Sequence, residues 1–155
     1  GRWEPVTGNL EIRYAFDATI LILEGLREYE KQYPQQSECV IEMQKRGRDF
    51  LLSHKLYKLT SKNEIIHTGM TLFSFPPRWH YDVLVGLNYF QDCNAEKDDR
   101  LEDAINLLES KRNPGGTWNL QNRHPGKTFF EMEEVGKPSR WNTLRALRVL
   151  RWWEG

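Results

Sequence analysis

The side chains best suited to chemistry gather in two stretches. The first, Trp79-His80-Tyr81-Asp82, sets a carboxylate and an imidazole among aromatic rings. The second runs His124-Pro125-Gly126-Lys127-Thr128-Phe129-Phe130-Glu131-Met132-Glu133-Glu134, and Glu131 and Glu133 fall on one side if the chain there is extended. A carboxyl group beside aromatic faces can protonate a substrate held against the rings, and two such groups can serve as an acid and a base. The same residues have structural uses: Asp82 can cap or brace a helix start, and Glu131 and Glu133 can pair with Arg140. Trp141-Asn142 repeats the aromatic-plus-polar pattern of Tyr81-Asp82. The catalytic candidates are thus Asp82, Glu131 and Glu133. The candidate binding walls are Trp79, His80, Tyr81, Trp118, His124, Arg140, Trp141 and Asn142.

Other chemistries lack their parts. His54, His67, His80 and His124 are spread singly without ligand spacing, and Cys39 and Cys93 form no C-x-x-C pair, so no metal site is expected. Gly126-Lys127-Thr128 lacks the upstream glycine of a phosphate loop. Lys plus Arg and Asp plus Glu both number 22, so charge does not recommend nucleic acid. No cofactor is implied. Two distant cysteines suit a reducing compartment, and no apolar run reaches the ~20 residues of a membrane span, so a cytoplasmic location is expected. The large remaining signal is the aromatic inventory of 6 Trp, 6 Tyr and 7 Phe, which must line something.

The elements that position these residues read as helices. Five segments carry helical periodicity and none alternates with period two, which predicts an all-α class in a single domain over 1–155. A helix over about 10–33 is apolar around most of its circumference, as if buried on several sides. A peripheral helix over about 37–58 starts at a Ser37 cap, with Val40, Met43, Gly47, Phe50, Leu51 and His54 on one stripe. A third helix is expected over about 78–92, with Trp79, Val83, Leu87 and Phe90 in register. A fourth opens at Asp98-Asp99 and ends at Asn113-Pro114-Gly115-Gly116. The last covers 140–153, with Leu144, Leu147 and Leu150 on one flank and Arg145, Arg148 and Arg151 on another, which reads as a solvated face or a partner surface. The connections at about 59–77 and 113–139 are long, which marks them as the place for function.

Leu23-Glu24-Gly25-Leu26, Leu84-Val85-Gly86-Leu87 and Leu144-Arg145-Ala146-Leu147 recur as L-x-small-L at intervals of 61 and 60 residues. This recurrence predicts a repeated helix pair, a buried helix followed by a covering one, with the small residue admitting a neighbouring backbone. Repeat one spans about 9–58 and repeat two about 78–118.

Leu107-Leu108-Glu109-Ser110-Lys111-Arg112-Asn113-Pro114-Gly115-Gly116-Thr117-Trp118 resembles the turn motif of the squalene-cyclase and prenyltransferase α/α toroids, and Gly1-Arg2-Trp3 resembles the tail of another copy. Arg112 stands where that motif has Gln, and Gly115 where it has Asp. The stretches from Phe75 to Leu84 and from Ser139 to Arg148 are similar to uncharacterised bacterial squalene-cyclase-like proteins. The resemblance implies part of an α/α toroid, with isoprenoid or other apolar substrates and acid catalysis in an aromatic cavity. A protein-prenyltransferase reading would add zinc, for which the ligands are missing. Asp92-Cys93-Asn94-Ala95-Glu96 resembles the acid motif of oxidosqualene cyclases, but it falls in a connector away from the expected cavity and reads as chance or capping. Closed toroids use more helix pairs than the two plus one helix found here. The resemblance therefore implies completion by a preceding segment of the same protein or by self-association. The competing expectation is a binding or scaffold module for a lipid, sugar or peptide, and carbohydrate processing on an α/α barrel draws on the same residues.

Overall fold

The computed structural model describes residues 9–36 and 38–155; the expected Ser37 cap and the Gly1-Arg2-Trp3 motif lie outside the described residues. The fold is mostly helical, with one small sheet. The helices are α1 (Asn9–Gln32), α2 (Glu38–Ser53), α3 (Val83–Asp92), α4 (Glu102–Ser110) and α5 (Arg140–Glu154). Strands β1 (Trp118–Asn119) and β2 (Pro138–Ser139) pair antiparallel, Trp118 opposite Ser139, and tie the long α4–α5 connection to the start of α5. Among the described residues, no helix is long and apolar enough to cross a membrane.

Helix α1 packs against α2, and α3 packs against α5 and α4, with a smaller contact back to α1. Helix α3 is central because most of its sequence is apolar: Val83 to Leu87, Tyr89 and Phe90 are buried, and the polar Asn88, Gln91 and Asp92 gather toward its end with Asp92 exposed. The core joins Phe16, Ile20 and Leu23 of α1 to Leu51 and Leu52 of α2, then to α3, to Ala104, Ile105 and Leu108 of α4, and to Ala146, Val149 and Leu150 of α5.

Several sequence expectations need correction. Helix α1 is buried on one side only: Leu10, Tyr14, Leu21 and Ile22 are exposed although the pattern is apolar all round. The third helix starts five residues later than its periodicity suggested, because the Asp82 carboxylate accepts the Val85 N–H and stops the helix there, leaving Trp79 in the preceding segment. Helix α2 ends at Ser53 because Lys55 and Leu56 turn into positive φ, at 46° and 69°. On α5 the expected flanks are partly reversed. Leu144 and Leu147 are exposed, whereas Arg145 turns inward to donate to the Ser74 carbonyl at 3.3 Å, and Arg148 pairs with Asp92 at 2.7 Å.

The three small residues of the recurring motif also differ. Gly25 has no neighbour among the described residues within 4 Å of where a Cβ would stand, so none of them packs on it. At Gly86 a Cβ would collide with the Tyr81 hydroxyl and lie 3.1 Å from Leu56, so the glycine admits side chains rather than a backbone. Ala146 is fully buried.

Candidate functional site

Two of the three catalytic candidates share one cleft, and the third lies elsewhere. The cleft, of about 270 Å3, is lined by Phe75, Leu120, Phe129, Phe130 and Met132 on its apolar side and by Arg78, Arg123, His124, Lys127, Glu131 and Glu133 on its polar side. Its outer wall is the 124–135 loop, where Phe129 is 95% and Phe130 74% exposed. The loop is fastened at both ends. The Arg78 guanidinium donates to the Pro125 carbonyl at 3.0 Å, and Gly136 N–H and the Leu120 carbonyl close its far side at 2.7 Å.

The carboxylates of the cleft are engaged. Glu131 pairs with Arg123, which holds its carboxyl below the usual range, and accepts from the Thr128 hydroxyl at 3.3 Å. Glu133 accepts the Arg140 N–H at 2.8 Å, at the first residue of α5, where a negative charge is favoured by the helix dipole. Its second oxygen, Oε2, is buried without a hydrogen-bond partner among the described residues. The expected pairing of these glutamates with Arg140 is therefore realised mainly by Glu133, through the backbone, while Arg123 takes Glu131.

Asp82 is 2% exposed and outside this cleft. Its Oδ1 accepts from Val85 N–H at 2.9 Å and its Oδ2 from Ser74 N–H at 3.0 Å, so it both caps α3 and pins the 73–74 segment. Burial pushes its carboxyl above the ordinary value, against the pull of Arg145 and of these N–H groups. Asn142 does the matching task on α5. Its amide donates to the carbonyls of Phe73 at 3.3 Å and Asn119 at 3.2 Å. The predicted correspondence of Asp82 with Asn142 thus appears as two braces on one connecting segment.

Of the expected walls, Tyr81 and Trp118 are core residues with almost no exposed surface. The Tyr81 hydroxyl donates to the Leu56 carbonyl at 3.0 Å. The Trp118 indole N–H donates to the Leu108 carbonyl at 2.7 Å, near the end of α4, with the Arg112 guanidinium 5.5 Å from the ring centroid. The preceding turn bends at Gly116, φ +75°. Trp118 therefore ties the 113–118 turn back to the end of α4. Trp141 stacks on Phe75 at 4.9 Å and 9°, and so supports the back of the cleft. Arg140 stays exposed.

Trp79, His80 and His124 form a ring stack, with centroids 3.6 Å and then 3.8 Å apart. This stack joins the two stretches singled out in the sequence. Behind it sits a residue that sequence reasoning missed. Asp17 of α1, 6% exposed, accepts Tyr81 N–H at 2.6 Å through Oδ1, while its Oδ2 has no hydrogen-bond partner among the described residues. Burial raises its carboxyl, against the attraction of Arg13 and His80. Arg13 Nε and His80 Nδ1 are likewise buried and unmatched among the described residues. His124 is held down to about 4 by burial first and then by His80, Arg13 and Arg78; burial also lowers His80. The His124 imidazole is consequently neutral at pH 7. The available signal for Asp17 was an acid inside the apolar run Tyr14-Ala15-Phe16-Asp17-Ala18-Thr19-Ile20.

Among the described residues no group of three or more His, Cys, Asp or Glu side chains is placed to hold a metal ion. No family description, curated protein or solved structure matches the chain.

Proposed function

We propose that this chain is a non-catalytic helix-pair module of the α/α-toroid type that binds an amphiphilic organic anion in the cleft beneath the 124–135 loop. The observation that carries the reading is the lining itself: aromatic and aliphatic surface from Phe75, Leu120, Phe129, Phe130 and Met132, bordered by the cationic Arg78 and Lys127. Apolar lining with a few placed polar groups is the ordinary composition of a small-molecule site. The side-by-side packing of α1, α3 and α5, with α2 against α1 and α4 against α3, supports the helix-pair assignment.

Binding is favoured over acid catalysis because each acid singled out in the sequence is anchored through at least one oxygen: Asp82 to two backbone N–H groups, Glu131 to Arg123, Glu133 to the start of α5. The test is titration with decanoate and with decyltrimethylammonium, followed calorimetrically. Decanoate is expected to bind at least several-fold more tightly. Arg78→Asn, chosen because Arg78 sits at φ 55° where Asn is tolerated, should remove that preference. Equal affinity for the two head groups, or no binding of either, would defeat the proposal.

A further inference from the structure

A second cavity of about 280 Å3 lies between α1 and α2, floored by Thr19, Leu23 and Gly47 and walled by Ile22, Leu26 and Met43. The sequence makes it in a specific way. Gly47 is buried in α2, and a Cβ there would stand 2.8 Å from Leu23 Cδ2, so the glycine lets the two helices meet closely at the floor. Met43 and Ile22 remain about half exposed along the sides. Glu42 and Arg46, which also line the groove, pair with each other at 2.9 Å, leaving it without a dedicated charge for a ligand.

Thr19 is the informative residue. It is 1% exposed and lines the groove, and its Oγ1 has no hydrogen-bond partner among the described residues. A helical threonine commonly satisfies its hydroxyl on the carbonyl one turn back, and a buried hydroxyl left unmatched is penalised by lost hydration. A ligand oxygen that reaches Oγ1 would lift that penalty. A helix with its side chains is about 10–12 Å across, too broad for this space. An apolar cavity of ~150 Å3 already accepts benzene in another protein, so the volume here suits a ring with a short tail.

We propose that the α1–α2 groove binds a small neutral molecule with an apolar body and one hydroxyl or carbonyl oxygen, hydrogen-bonded to Thr19 Oγ1. The site is separate from the cleft and takes an uncharged ligand, so it stands or falls independently of the anion-binding reading. Exposed Cys39 on the lining supplies a chemical reporter.

The experiment titrates 4-propylphenol and propylbenzene into isotopically labelled protein and follows backbone amide resonances. Saturable shifts are expected at Thr19, Leu23 and Gly47, with slower maleimide labelling of Cys39 when 4-propylphenol is saturating. Thr19→Val, which keeps the shape and removes the hydroxyl, should weaken 4-propylphenol about five- to tenfold and leave propylbenzene within about twofold. Thr19→Ser should retain the preference. Met43→Trp, which fills the groove from its exposed side, should abolish binding of both. The inference is overturned if shifts concentrate around His124 and Phe130, if no saturation occurs at the three amides, or if Thr19→Val affects the two compounds equally.

Discussion

Replacing Asp82 separates a structural carboxylate from a catalytic one. Asp82→Ala removes the α3 cap, worth about 1 kcal/mol, and leaves the buried Ser74 N–H without an acceptor, which costs about 1–3 kcal/mol more. Arg145, whose buried guanidinium is pushed below its usual value, also loses an attractive neighbour. These effects share one network and are not independent, so ~2–4 kcal/mol is expected in total. That is a large part of the ~5–15 kcal/mol that holds a typical domain together. Asp82→Asn keeps one carbonyl oxygen for a cap and escapes the burial penalty of the charge, so its loss should be about 1–2 kcal/mol. Urea unfolding followed by tryptophan fluorescence and by circular dichroism measures both variants. A loss below about 1 kcal/mol for Asp82→Ala would refute the bracing role and return the residue to the list of groups kept for chemistry.

The recurring small residues should respond in opposite ways. Gly25→Ala, in open space within α1, is expected to stabilise by about 0.5–1 kcal/mol, and Gly86→Ala to destabilise by about 1–3 kcal/mol as its Cβ meets Tyr81, both read as midpoints of urea unfolding. The histidine stack should make stability depend on pH. His124 ionises near 6.5 unfolded and at about 4 folded, so the unfolded chain takes up the proton first and stability present above pH 6.5 is lost as pH falls towards 4. The full gap is worth about 3 kcal/mol, which partial exposure of the ring discounts to ~1–2 kcal/mol. His124→Gln should flatten that part of the curve; an unchanged slope between pH 6.5 and 4 would remove His124 as its source.

Features governed by neighbours in sequence were the legible ones. Asp98 accepts from Arg100 N–H and Ser139 from Asn142 N–H, each at 2.9 Å, as capping residues placed just before their turns. The turn at Gly116 and the return of Trp118 onto Leu108 likewise follow from a local run of residues. Features set by partners far along the chain were not legible. Asp17 meets Tyr81 across 64 positions, and Arg145 reaches Ser74 across 71. Periodicity placed Arg145 on a polar flank but could not say that an unfilled carbonyl waited there. Nor could the recurrence at Gly25 reveal whether anything would pack on it, since an apolar helix surface states a capacity for burial and not its use.

The polar groups of the interior divide by whether they are matched, and that division locates where chemistry should be sought. Asp82 and Asn142 reach the backbone of Phe73, Ser74, Val85 and Asn119, and Arg145 completes the set at Ser74. A network with its bonds made fixes one arrangement, and here it clamps the 73–74 segment against two helix starts. Among the described residues Asp17 Oδ2, His80 Nδ1 and Arg13 Nε are buried and unmatched, and they lie within electrostatic reach of one another behind His124. Unmatched buried groups are uncommon and call for an explanation beyond stability, such as an ordered water or a ligand's polar end. His124 stands between that cluster and the cleft. A ligand in the cleft that carries an acidic head would therefore bring its charge toward Arg78 and His124, in front of the region where the protein has left its hydrogen bonds incomplete.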